Sequence, residues 1–272
     1  MRTRPRAPRA SRASPPGWLA RWLTSLAPAR DLAARVAFCA LGLANLGSAE
    51  FSHEGTTTVD VALLLAVDVS NSVDWWEYEL QRHGLSHAIR DPGVVGAIQS
   101  GPNRRVAIAV VQWAGKRSRY ISIRWTVLHD QPSAEAFARV VEFMPREFAG
   151  DTTHIAGMLD YGAELMKALP FTATRKVIDI SGDGRENVID HPEPARDRAV
   201  AAGITINGLA IENEEPQLRF HYRDQVIGGP GAFVLPIKRY EDFAEAMKKK
   251  LIREIDPRQV STDSRWPVLL VR

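Results

Sequence analysis

Residues 61–72 read Val61-Ala62-Leu63-Leu64-Leu65-Ala66-Val67-Asp68-Val69-Ser70-Asn71-Ser72. An unbroken apolar run stops at Asp68, and two hydroxyl side chains follow at alternate positions. A near-continuous apolar run of this length suits a parallel strand buried on both faces, and the predicted strand spans Val59–Val67. It would deliver Asp68, Ser70 and Ser72 to its carboxyl end. In an open α/β sheet that end is where ligands bind.

Outward from this strand the elements alternate. Asp74–Ile89 reads as a helix, with Trp76, Leu80, Leu85 and Ile89 on its inner side, and Asp91-Pro92-Gly93 stops it. Val106–Trp113 is a second buried strand. Tyr120–Val127 alternates polar and apolar, the period of a half-exposed edge strand. A helix N-capped by Ser133 runs through Val141, and a loop covers Phe148–Thr153. Ile155–Ala168 is a helix, Lys176–Ile180 a short strand, Glu193–Ala202 a helix and Ile204–Ile211 a strand. Glu212–Gly231 is irregular, and Ala232–Leu235 is read as the last strand. Tyr240–Ile255 closes the domain as an amphipathic helix, with Phe243, Met247, Leu251 and Ile255 inward and Lys248, Lys249 and Lys250 in the polar sector. The expected fold class is therefore α/β, a three-layer, doubly wound, mostly parallel sheet with an antiparallel edge strand.

The chain has 272 residues, 45% hydrophobic and 25% charged, which suits one soluble domain with a sizeable core. Its net charge of +3 misleads, because residues 1–49 hold eight Arg and one Asp. Removing these from 35 basic and 32 acidic residues leaves 27 and 31 for residues 50–272. An acidic body gives no reason to expect a nucleic-acid partner. Residues 1–49 have the layout of an export signal: Arg2, Arg4, Arg6, Arg9 and Arg12, then the apolar stretch Val36–Leu46, then Gly47-Ser48-Ala49 as a cleavage site. That stretch is too short for a normal membrane span, so the mature form is expected to be periplasmic or secreted with no stable span. The expected organisation is 1–49 export signal, 50–255 domain, 256–272 a loose C-terminal tail in which Trp266 and Leu269-Leu270 have packing potential. Cys39 is the only cysteine and lies inside the signal, which excludes disulfides, thiolate metal sites and a cysteine nucleophile from the mature chain.

Magnesium takes octahedral oxygen ligation and keeps several waters, so few carboxylates and some hydroxyls suffice. Asp68, Ser70 and Ser72 supply one carboxylate and two hydroxyls. Asp183 ends a later apolar strand in the turn Ser181-Gly182-Asp183-Gly184. Thr152 and Thr153 precede a helix, and either hydroxyl could complete the set or cap that helix. Asp68, Ser70, Ser72, Asp183 and one of Thr152 and Thr153 are the candidate metal residues, with Mg2+ the expected ion and Mn2+ or Ca2+ the alternatives.

These motifs resemble the von Willebrand factor type A domain and its metal-ion-dependent adhesion site. That family runs an apolar strand into Asp-x-Ser-x-Ser, places a threonine before a later helix, and sets an aspartate in a strand-end turn. The threonine aligns best with Thr153, because the helix then registers as Thr153-His154-Ile155-Ala156-Gly157-Met158. The family's usual Thr-Asp-Gly is replaced here by Ser181-Gly182-Asp183-Gly184, which departs from the expected turn. More narrowly, residues 57–255 resemble a bacterial group of exported single-domain type A proteins without an assigned function. The shared features are VDVSNSVD (67–74), SGDGREN (181–187), GGPGAF (228–233) and the final helix.

The resemblance implies direct ligation by the two serines and the threonine, and an open position that takes an Asp or Glu carboxylate from a protein partner. Asn71, Asp74, Trp75 and Arg185 are candidate rim residues. Trp75-Trp76 reads either as an exposed anchor or, preferably, with Trp76 packed under the first helix. Asp179 interrupts an apolar strand; it is expected to orient Ser70 or a metal-bound water, or to pair with an Arg on the sheet surface. His154 is read as a helix residue near the site. The chain lacks GxGxxG on the first strand, GxxxxGK[ST] and HExxH, and no nucleophile–base pair is evident, so no enzyme is expected. The competing readings are an envelope scaffold with a vestigial metal site and a magnesium-dependent hydrolase.

Overall fold

Strand β1 (Thr58–Asp68) is the axis of the molecule. The computed structural model describes residues 57–148, 151–256 and 268–270, all within one unit, Gly55–Arg272. The expected export signal lies outside the described residues. β1 is buried from Val59 through Asp68 and pairs in parallel with β2 (Val106–Trp113) on one side and β4 (Thr172–Gly182) on the other. Both backbone edges are thereby satisfied, and both faces must be apolar, which is why the run is continuous rather than alternating.

The sheet has seven strands in the order β3-β2-β1-β4-β5-β6-β7. β5 (Ile204–Ile211) and β6 (Phe233–Ile237) extend the parallel block. β3 (Arg119–Leu128) and β7 (Leu269–Leu270) are antiparallel edges. One face carries α1 (Trp75–Ile89), α2 (Pro92–Ser100), α3 (Gln131–Glu142) and α7 (Phe243–Ile255). The other carries α4 (Ile155–Lys167), α5 (Pro192–Ala201) and α6 (Leu218–His221). Leu63 and Leu65 point into the first core and Leu64 into the second; truncating any of them to Ala removes about 2–5 kcal/mol of stability. The strand order reverses between β1 and β4, so Asp68 and Gly182 end side by side at the switch point. This is the expected fold class. Among the described residues no helix is long and apolar enough to cross a membrane.

Several local expectations need correction. α2 was not anticipated: Asp91 and Pro92 end α1, but Asp91 accepts from Gly93 N at 2.8 Å and Pro92 opens a new helix, the position where proline is favoured. α3 is capped by Asp130, three residues before Ser133; the Asp130 carboxylate and the Ser133 hydroxyl bond each other's backbone N–H, a reciprocal capping box. β3 does not alternate cleanly. Its pairing with β2 shifts register around Val110, so Ile121 and Trp125 pack toward α4 while Ile123 packs toward α3. β6 is not the last strand, because Leu269-Leu270 pairs with it.

Trp76 does not pack beneath α1. It is 65% exposed, and Tyr78, Gln81, Leu85, Ala88 and Ile89 form the buried side. Lys250 is fully buried rather than in the polar sector of α7, because it shares the helical stripe of Phe243, Met247 and Glu254. Lys250 Nζ lies 2.7 Å from Asp179 Oδ1 and 2.5 Å from Glu254 Oε1. Asp179 thus contacts neither Ser70 nor a surface arginine; it anchors α7 to β4. Asn207 Nδ2 donates to Glu254 Oε1 at 2.9 Å, and the Arg175 guanidinium donates to the carbonyls of Glu254 and Ile255.

Burial and the neighbouring Asp179 push the Glu254 carboxyl up to about 8 from an ordinary 4.5. A raised acid pKa favours the fold fully below the ordinary value and loses that contribution as pH climbs toward the folded value. Glu254→Gln, which mimics the protonated carboxyl, is expected to flatten the pH dependence of the urea midpoint between about 5 and about 8. Lys250→Met, which strands Asp179 without its cation, is expected to cost about 3–5 kcal/mol in the same unfolding measurement.

Candidate metal centre

β1 releases the chain at Asp68, and the following turn folds back on it. Ser70 N donates to Asp68 Oδ1 at 2.8 Å. The Ser70 and Ser72 hydroxyls are 3.3 Å apart. β4 ends beside β1, and the next residue, Asp183, accepts a 2.6 Å hydrogen bond from Ser72 Oγ on Oδ1. Thr153 precedes α4 and donates to Ser70 Oγ at 3.3 Å. The five residues singled out in the sequence therefore come together, from three separate segments. Thr153 is buried and reaches the cluster, whereas Thr152 is exposed and turns to Asp151.

Other groups hold the cluster, and sequence reading missed them. Arg146 donates through Nη2 to the carbonyls of Val69 at 3.1 Å, Ser70 at 3.2 Å and Val73 at 2.7 Å. The loop leaves these acceptors outside any sheet ladder, where a buried carbonyl needs a donor. The segment carrying Arg146 is itself fixed by Gln112 of β2, which donates to Pro145 O at 2.7 Å and accepts from Glu147 N at 2.9 Å. Gln81 donates to Asp68 O at 3.1 Å. Asn187, the last residue of SGDGREN, accepts from Thr153 N at 2.7 Å, and its own N–H donates to Thr153 O at 3.1 Å. Tyr240, at the approach to α7, donates to Asp183 Oδ2 at 2.9 Å. No local pattern announces Tyr240 or Arg146, since each acts across a long stretch of sequence.

The candidate rim residues divide. Asp74 caps α1 in a reciprocal box with Glu77. Arg185 pairs with Glu215. The Asn71 backbone N–H donates to Asp151 O at 2.9 Å. Trp75, 63% exposed, and Trp76 stand on the first turn of α1. His154 turns away from the cluster, with Nε2 3.0 Å from Asp190 Oδ2.

Asp68 is fully buried, and its Oδ2 has no hydrogen-bond partner. Burial, then the charge of Asp183, pushes its carboxyl up to about 7. Burial likewise raises Asp183, against the donors Ser72 and Tyr240. Two buried carboxylates with no cation between them are costly. Gly182 makes room for them: a Cβ there would lie 2.7 Å from both Asp68 Oδ2 and Tyr222 Oη. Among the described residues no group of three or more His, Cys, Asp or Glu side chains is arranged to hold a metal ion. The set here is instead two carboxylates and three hydroxyls, hard oxygen donors that fit a magnesium-like ion, and the orphaned Asp68 oxygen is the atom such an ion would satisfy.

The mostly parallel sheet with antiparallel edges, flanked by helices on both faces, defines a von Willebrand factor type A-like three-layer sandwich. Residues 58–259 match the family model described as "Protein of unknown function (DUF1194)", and the chain belongs to that family. Similar folds include proximal thread matrix protein 1 from the mussel byssus with a zinc-occupied MIDAS motif, at 16% identity and TM-score 0.55 over 74% of this chain and 48% of that one. They also include von Willebrand factor type A from Catenulispora acidiphila, at 16% identity and TM-score 0.50 over 73% and 43%. The pilus adhesin SpaC from Lactobacillus rhamnosus GG, open conformation, matches at 14% identity and TM-score 0.52 over 74% and 31%. The chain spans less than half the length of these structures, and the likeness is one of fold. No curated protein matches the sequence significantly.

Arg146→Lys keeps the charge but is shorter, and it loses the Nε–H donor to Phe148 O along with the Nη2 position that serves the carbonyls of Val69, Ser70 and Val73. It is expected to cost about 1–3 kcal/mol and to speed amide hydrogen exchange in residues 69–73 selectively, read by mass spectrometry.

Proposed function

We propose that the domain is a metal-ion-dependent protein-binding module acting outside the cytoplasm, in which a divalent ion recruits a carboxylate from a partner protein. Asp68, Ser70, Ser72, Thr153 and Asp183 would hold the ion, Mg2+ first and Mn2+ or Ca2+ as alternatives. The observation that carries this reading is the meeting of Ser70, Ser72, Thr153 and Asp183 through hydrogen bonds at the switch point beside Asp68, whose buried Oδ2 has no hydrogen-bond partner. A bound ion would supply positive charge for an incoming acidic oxygen.

The chain's own residues shape the rest of the contact. Trp75 and Trp76, exposed beside the cluster, offer the aromatic area that anchors many interfaces. Ser70, Ser72 and Thr153 are hydrogen-bonded to one another or to Asp183, and no histidine joins them among the described residues. The export reading rests on the composition of residues 1–49.

Isothermal titration of the purified chain with magnesium, wild type beside Asp68→Ala and Ser72→Ala, tests the ion site. Saturable binding in the wild type, abolished by Asp68→Ala and weakened at least about tenfold by Ser72→Ala, is expected. Partner capture from envelope extracts should then vanish with chelator. Silent titration together with chelator-resistant capture would favour a scaffold with a vestigial site.

A further inference from the structure

The two edges of the sheet are finished differently. β6 is covered by β7, whereas β3 is ten residues long and pairs only with β2 among the described residues. An unpaired edge of that length is a template for another strand. The shift in the β2–β3 pairing turns apolar side chains of β3 to both faces, and a hollow borders the edge on each. Toward α4 lies a groove of about 660 Å³ lined by Arg119, Tyr120, Arg124, Trp125 and Tyr161. Toward α3 lies one of about 480 Å³ lined by Ile123, Arg139, Val140 and Phe143. Phe143 is 79% and Val140 55% exposed.

Among the described residues neither lining contains an Asp or Glu. Among the described residues Arg119, Arg124 and Arg139 have no carboxylate partner, although residues 50–272 carry 31 acidic side chains against 27 basic. A second copy of β3 laid antiparallel on the first, in the register that sets Arg119 opposite Arg124, would bring the arginines of the two copies together, which like-charge repulsion opposes. An acidic strand meets the opposite field. An added strand also sends alternate side chains to the two faces, and here each face has a hollow to receive them.

We infer that the free edge of β3 is a docking site for an extended acidic segment of a partner protein, which joins the sheet as an additional strand. Backbone hydrogen bonds to β3 supply affinity, and carboxylates reaching the arginines supply selectivity. The site is separate from the candidate metal centre and requires no ion.

The test uses the full chain and a labelled peptide alternating glutamate with valine, read by fluorescence anisotropy and by hydrogen exchange. Two control peptides carry lysine for glutamate, or methyl groups on alternate backbone nitrogens. Expected are saturable binding below about 1 mM, insensitivity to chelator, and new exchange protection confined to residues 119–128. The lysine peptide, the methylated peptide and the Arg119→Glu/Arg124→Glu variant should each weaken binding at least about tenfold. Arg124→Ala alone gives a milder loss in the same direction and guards against a folding defect in the double variant. The proposal is overturned by no binding below about 1 mM, by indifference to methylation or charge reversal, or by protection at the metal centre instead. It is also overturned if the β3 amides are already protected in the free protein, since the edge is then covered by another part of the chain or by a second copy.

Discussion

Two carboxylates buried at neighbouring strand ends set the terms for this structure. Asp68 and Asp183 are carried there by β1 and β4, whose positions are fixed by the apolar cores on both faces of the sheet. The sheet cannot move them apart without breaking its register. Hydrogen bonds from Ser70 N, Ser72 and Tyr240 offset part of the cost, yet burial still raises both carboxyls and leaves one Asp68 oxygen unpartnered. Stability alone would favour a hydrophobic or amide residue at such a place, because a buried charge without a partner is expensive.

A second pair of acids shows the alternative solution. Asp179 and Glu254 are also buried together, one element deeper, and there the chain provides its own cation in Lys250. At the strand ends the nearest comparable group is Arg146, but its N–H groups are engaged by three loop carbonyls, and its influence on Asp68 is weaker than that of burial or Asp183. One fold thus holds two carboxylate pairs, one neutralised internally and one left for a charge from outside. That contrast supports reading the strand-end pair as a cation site rather than as structural ballast.

Much of this was legible in the sequence. The order of elements and the parallel sheet followed from continuous apolar runs, because a strand buried on both faces has almost no freedom of composition. Asp68, Ser70, Ser72 and Asp183 were legible because they sit at or just beyond the ends of such runs, whereas the choice of Thr153 over Thr152 came from the resemblance to the type A pattern. What escaped were residues whose role depends on which side of an element they occupy or on distant partners. Lys250 reads as surface charge until the α7 stripe is seen to include it. Trp76 reads as core until Tyr78 is found in its place. Tyr240 and Arg146 act across sequence separations that no local period spans, and α2 was hidden by a proline that both ends one helix and starts the next.

The extra glycine in Ser181-Gly182-Asp183-Gly184 has a physical cause in the second core. Tyr222 is fully buried, with its ring against Gly208 and its hydroxyl directed at the space where a Gly182 side chain would lie. Any Cβ at Gly182 would press on both that hydroxyl and Asp68 Oδ2, so the aromatic residue and the buried aspartate together demand a glycine at this position. Tyr222 belongs to the irregular segment between β5 and β6, the part of the chain with the least readable pattern. The departure from the usual strand-end turn and the irregular excursion that supplies Tyr222 are therefore one feature. It closes the floor of the cluster with a phenol, and it leaves the hydroxyl-lined side formed by Ser70, Ser72 and Thr153 as the side from which a cation would be held.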